Sequence, residues 1–124
     1  MSLHAWKHDN MAQYEEVTGN KTLDEGDSGV KQVVTATAVI TLPSTVVGAT
    51  YHILNGGNKI GDVQISVSPA AADKIMGNGF TSADNKDAIN TLATAEPGDE
   101  IILVADGANG YYIQRVKGVW AREA

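Results

Sequence analysis

Residues 31–42 alternate between two kinds of side chain with a period of two. Successive side chains of a strand point to opposite faces, so this period predicts one long strand. One face is apolar and predicted to be buried: Val34, Ala36, Ala38, Ile40 and Leu42. The other face is half threonine and could meet either water or a neighbouring subunit: Lys31, Val33, Thr35, Thr37, Val39 and Thr41. Pro43 lacks an N–H and should end the strand, and Gly48 permits the turn that follows.

Two hairpins are predicted further along the chain. The first joins residues 49–54 to residues 62–68 through the turn signal Asn-Gly-Gly-Asn at 55–58. The second covers residues 100–116, where an apolar run meets Asp-Gly-Ala-Asn-Gly and returns as a further strand. A last short strand presents Trp120. In residues 82–93, the spacing of apolar residues is equally compatible with one or two helical turns and with an irregular loop.

About seven short strands punctuated by glycine indicate an all-β fold. We therefore predict an antiparallel β-sandwich or barrel over residues 30–124, with its core at 30–121 and at most one short helix. Residues 1–29 are predicted to form an N-terminal arm and acidic linker ahead of this domain, because residues 18–29 are polar, acidic and rich in glycine.

The arm carries large apolar side chains ahead of the polar linker, namely Leu3, Trp6, Met11 and Tyr14. Such residues suggest that the arm packs on something outside its own domain. The alternative is that residues 14–18 form the first strand of the domain and that Trp6 covers its edge. Both interpretations stay open on the sequence.

Composition narrows the function classes. The 124 residues carry a formal net charge of −6, which disfavours nucleic acid as a partner. The absence of cysteine excludes disulfides, thiol nucleophiles and zinc–thiolate sites. No apolar run has the length of a membrane helix and no secretory signal is visible, so we expect a protein made in the cytoplasm that does not bind a membrane.

No pattern of residues predicts catalysis. His4 and His8 have the i, i+4 spacing of a two-histidine metal site on a helix, but a full set of ligands is missing. His52 is expected to be an ordinary strand residue. No nucleophile stands in a catalytic signature, so we expect no enzyme, no cofactor and no metal site.

The order of the strand and turn signals resembles a pattern in tailed-bacteriophage virion proteins. It covers about residues 30–121 and runs through Val39-Ile40-Thr41-Leu42-Pro43, Gly48, Tyr51-His52-Ile53, Val63-Gln64-Ile65, Asp73-Lys74-Ile75-Met76-Gly77, Gly98-Asp99, Ile102-Leu103, Asp106-Gly107, Gly110-Tyr111-Tyr112-Ile113 and Gly118-Val119-Trp120. It is similar to the small β domains of capsid decoration (cement) proteins and of trimeric tail-fibre modules.

The resemblance implies a structural virion protein, commonly a homotrimer, without an active site. A single β domain with a short arm fits a decoration protein on the surface of the head, whose partner is the major capsid protein. The capsid contacts are then expected from Leu3, Trp6, Met11 and Tyr14. The alternative is a tail-fibre or receptor-binding module that recognises host glycans, for which Tyr111, Tyr112 and Trp120 are the aromatic candidates.

Overall fold

The computed structural model describes residues 13–70 and 72–124, which form two β-sheets. The strands are β1 Tyr14–Val17, β2 Lys21–Thr22, β3 Lys31–Val34, β4 Ala38–Thr41, β5 Thr50–Asn55, β6 Ile65–Ser68, β7 Lys74–Met76, β8 Ala88–Asn90, β9 Glu100–Ala105, β10 Gly110–Lys117 and β11 Trp120–Arg122. Sheet A has the order β1-β3-β5-β9-β10-β7, and sheet B has the order β11-β8-β6-β4-β2. The all-β prediction is confirmed.

The chain changes sheet after almost every strand. From β1 to β9, odd-numbered strands belong to sheet A and even-numbered strands to sheet B. From β1 to β6, each strand that returns to its own sheet after one strand in the other sheet runs in its original direction. Strands β1, β3 and β5 are therefore parallel, as are β2, β4 and β6. The prediction of an antiparallel domain is wrong here: five of the nine strand pairs formed by the described residues are parallel.

The predicted long strand over residues 31–42 is instead two strands in different sheets. The chain leaves β3 in sheet A at Val34 and enters β4 in sheet B at Ala38. Two hydrogen bonds fix the connecting segment 35–37 between the sheets. Thr37 Oγ1 accepts from the Gln64 N–H, and the Thr35 N–H donates to the Val17 carbonyl. The predicted buried face still holds at Val34, Ala38, Ile40 and Leu42, which are at most 4% exposed.

The first predicted hairpin is also wrong, whereas the second is confirmed. Strands β5 and β6 lie in different sheets, so the turn at 55–58 is a crossing. A Cβ on Gly56 would lie 2.6 Å from Val33 Cγ1, so close packing requires this glycine. Strands β9 and β10 pair antiparallel around residues 106–109, as predicted, and Trp120 begins β11.

The core consists of apolar side chains from both sheets. Tyr51 of β5 and Tyr111 of β10 are its largest fully buried side chains, with ring centroids 5.9 Å apart in an edge-to-face arrangement. The Tyr111 hydroxyl donates to the Pro43 carbonyl oxygen at 2.6 Å, so burial leaves this polar group with a partner.

Residues 14–29 contribute to the two sheets. Strand β1 forms one edge of sheet A, β2 forms one edge of sheet B, and Val17 and Leu23 are buried in the core. In the region where helix and loop were equally expected, Ala88–Asn90 is strand β8 and Leu92–Thr94 is a single 3-10 turn. A second 3-10 turn spans Glu25–Asp27. The described residues contain no longer helix and none that could cross a membrane.

Candidate interaction surfaces

Of the four predicted capsid-contact residues, the structure describes only Tyr14. Leu3, Trp6 and Met11 lie outside the described residues, as do the histidines at 4 and 8. Tyr14 begins the edge strand β1 and is 57% exposed. Among the described residues, β1 is therefore an edge strand of sheet A that begins with an exposed aromatic ring.

The three aromatic candidates for glycan stacking differ in their exposure to solvent. Tyr111 is fully buried, and Trp120 is 6% exposed with its indole N–H donating to the Lys117 carbonyl. Tyr112 is 54% exposed. Packing within the core therefore accounts for Tyr111 and Trp120, and Tyr112 alone presents its ring to solvent.

The outer face of sheet A carries a group of basic side chains, which we call the basic row: Lys31, His52, Arg115 and, two residues further along β10, Lys117. Lys31 is the register partner of His52, His52 of Ile102, and Ile102 of Arg115, so this row crosses four strands. Lys117 lies opposite Glu100 in the adjacent row. Tyr14 extends the row at the sheet edge as the partner of Lys31.

Glu100 is held within this face by two neighbours. Its Oε2 lies 2.7 Å from His52 Nε2, and its Oε1 accepts from Arg115 Nε at 2.8 Å. Burial raises the pKa of Glu100, but the hydrogen bonds and charges of His52 and Arg115 outweigh burial, so the pKa is lowered. His52 thus has a defined partner, where the sequence indicated only a strand residue.

The outer face of sheet B has a different chemistry. Its outward positions are uncharged: Thr22, Val39, Thr41, Ser66, Ser68, Ile89 and Ala121. Val39, Ser66, Ile89 and Ala121 form one row through successive register partners. The half-threonine face expected from the sequence survives here only in part, since Val39 and Thr41 lie on it while Lys31 and Val33 belong to sheet A.

A buried polar network joins three loops at one end of the molecule, which we call the tied end. Asn55, Asn90 and Asp99 are each at most 3% exposed. Asn55 Nδ2 donates to Asn90 Oδ1 at 2.8 Å and to the Val63 carbonyl at 2.9 Å. Asn90 Nδ2 donates in turn to Asp99 Oδ2 and to the Val119 carbonyl, both at 3.1 Å. The network therefore fixes the loops at 55–64, 91–99 and 117–119.

Gly118 allows the tied end to close. Its φ is +93°, and a Cβ there would lie 2.2 Å from Asp99 Cγ. Asp99 Oδ2 also accepts from the Glu96 N–H at 2.9 Å. No buried side-chain polar atom among residues 13–70 and 72–124 lacks a partner. The only sign of this network in the sequence is that three amide or carboxyl side chains stand at strand ends.

The opposite end, which we call the acidic end, collects eight carboxylates: Asp24, Glu25, Asp27, Asp73, Asp84, Asp87, Asp106 and Glu123. Burial, followed by the charges of Asp106 and Asp84, raises the pKa of Asp73. Burial also raises the pKa of Asp87, where a hydrogen bond from Ser68 opposes the shift. Three backbone N–H groups of residues 108–110 donate to Asp106 Oδ1 and lower its pKa. This end therefore combines exposed carboxylates with half-buried ones, and one of them, Asp106, accepts three backbone hydrogen bonds.

Neither a ligand-sized cavity nor a cluster of metal-binding side chains occurs in the described part of the chain. The chain matches no protein-family model and no curated protein. The fold and surfaces define a class, a two-sheet all-β domain whose distinctive chemistry lies on its outer faces and ends. Interaction surfaces are therefore its candidate functional sites.

Proposed function

We propose that this protein is a capsid decoration protein, a structural virion protein that binds the outer surface of a phage head and stabilises it. The proposal makes the major capsid protein its partner, the virion its location and the host cytoplasm its place of synthesis. It involves no catalysis and no cofactor. The resemblance of the strand and turn order supports it, together with the extended outer faces of the two sheets. We infer that the two sheets pack as a sandwich.

The observation that carries the proposal is the position of Tyr14. This residue is exposed on edge strand β1, directly after the polypeptide that contains Leu3, Trp6 and Met11. Burying one large apolar side chain against a partner contributes roughly 1.5 to 3 kcal/mol. Ordering the arm costs about 1 to 2 kcal/mol per residue. Docking by the arm alone is therefore marginal, and the sheet surface beside Tyr14 should contribute.

A homotrimer is the assembly that we propose for the bound protein. The resemblance motivates it, and the uncharged outer face of sheet B supports it, since such a face can be covered by a second copy without desolvating a charge. Several copies of the arm on one assembly would reinforce one another through effective concentration. Light scattering from the free protein and particle-bound copy number measure this assembly, and a monomer in both settings would refute it.

The second candidate function is glycan recognition as part of a tail fibre. The exposed ring of Tyr112 favours this function, although Tyr111 and Trp120 are buried in the core and cannot stack on a glycan. A glycan array with the wild type and Tyr112→Ala separates the two functions. Binding that is lost in the variant supports the fibre alternative, and an array without binding removes it.

The direct test of the proposed function is the position of the protein on the particle. Cryo-electron microscopy of purified virions should show density for the domain on the outside of the head. Density confined to the tail, or absent from the particle, would contradict the proposal.

A further inference from the structure

The exposed charge at the centre of the outer face of sheet A is positive, although the chain as a whole is negative and Glu16 places one exposed carboxylate on edge strand β1 of the same face. Adjacent strands lie about 4.8 Å apart, so Lys31 and Arg115 are separated by about 14 Å across three strand spacings. Glu100 does not cancel this charge at the surface, because both its oxygens have partners and its side chain is only 14% exposed. Lys31 and Lys117 are exposed and take part in none of the salt bridges found among the described residues.

A preformed acidic corner lies elsewhere on the same chain. We call it the acidic knuckle and define it as Asp24, Glu25 and Asp27, in the loop between β2 and β3. The Gly26 N–H donates to Asp24 Oδ1 at 2.9 Å, and the Asp24 N–H donates to Asp27 Oδ2 at 3.0 Å. Asp24 and Glu25 remain exposed, while Asp27 lies 3.6 Å from Lys21. The backbone of the knuckle and the Asp24 and Asp27 carboxylates are thus already ordered within one copy.

We infer that the basic row of one copy binds the acidic knuckle of a second copy. The two surfaces of one chain carry opposite charges and so complement each other. Within one copy, no salt bridge among the described residues joins Lys31 or Lys117 to the knuckle. The two surfaces differ, so the contact is head-to-tail and closes into a ring when the rotation permits. The inference rests on the proposed self-association and goes beyond it by naming the surfaces that orient the copies.

The test compares variants with matched net charge. The row variant combines Lys31→Glu with Lys117→Glu. The control combines Lys59→Glu with Lys86→Glu, two lysines outside the row. Sedimentation velocity over a salt series should show that the row variant associates roughly tenfold more weakly than wild type at low salt, whereas the control follows wild type. Circular dichroism checks that all variants keep the wild-type fold.

A complementary variant, Asp24→Lys with Glu25→Lys, makes the experiment decisive. It should also self-associate weakly, but an equimolar mixture with the row variant should form mixed pairs, because a contact between unlike variants brings opposite charges together, whereas a closed ring of three would keep one contact between like variants. Unchanged association of the row variant, or a mixture that stays dissociated, would overturn the inference. Head binding by the row variant is measured separately, so the proposed capsid function can survive that failure.

Discussion

The tied end and the acidic end stabilise their loops by different means. At the tied end, Asn55, Asn90 and Asp99 are buried, and every fully buried side-chain polar atom of the three has a partner. At the acidic end, carboxylates remain near solvent and their pKa values move in both directions. A buried network is therefore expected to make loop geometry sensitive to single atoms, whereas carboxylates with shifted pKa values make loop stability sensitive to pH.

The largest expected effect is at the centre of the buried network. Asn90→Ala removes one donor from Asp99 and one acceptor from Asn55, and it also leaves a cavity. Stranded buried polar groups cost about 1 to 3 kcal/mol, so we expect a loss of about 3 kcal/mol in unfolding free energy. Urea denaturation measures it. A loss below about 1 kcal/mol would show that the network is not what stabilises this end.

A somewhat smaller effect is expected for Gly118→Ala. The added Cβ meets the Asp99 carboxylate and the residue must keep its positive φ, so we expect a loss of about 2 kcal/mol. Gly19→Ala is the matched control, because no atom lies within 4 Å of its added Cβ. Equal stability of the two variants in the same denaturation assay would contradict the described closure of the tied end.

The smallest effect is expected at the acidic end, and its sign depends on pH. Asp73 and Asp87 have raised pKa values in the folded state, so their contribution to stability is present below the unfolded value of 3.8 and is lost as pH rises through the folded values. The variant with Asp73→Asn and Asp87→Asn should therefore exceed wild type by a few tenths of a kcal/mol at neutral pH. Unfolding free energies should converge as the pH falls below 3.8, and a wild type that is more stable at neutral pH would reverse the assigned sign.

The sequence predicted the positions of the strands better than the pairing between them. Alternation identified the buried positions Val34, Ala38, Ile40 and Leu42, and it identified the β9–β10 hairpin. It could not show that the chain changes sheet between Val34 and Ala38. A strand that continues and one that crosses have the same local period, and the crossing depends on hydrogen bonds to residues 17 and 64. The parallel pairing follows from these crossings.

Side-chain chemistry was predictable only where it was local. The exposure of Tyr14 could be expected from the sequence. The pairing of Glu100 with His52 and Arg115 joins three strands, and the Asn55–Asn90–Asp99 network joins residues up to 44 positions apart. Only the register of the sheets brings these groups together.

Deleting residues 1–12 tests the central claim most directly, because it removes Leu3, Trp6 and Met11 while keeping strand β1 intact. The truncated protein should keep the unfolding free energy of the full chain and bind undecorated heads at least roughly tenfold more weakly, which corresponds to about 1.4 kcal/mol. Cosedimentation with heads measures both proteins side by side. Unchanged affinity of a folded truncated protein would contradict docking through the arm.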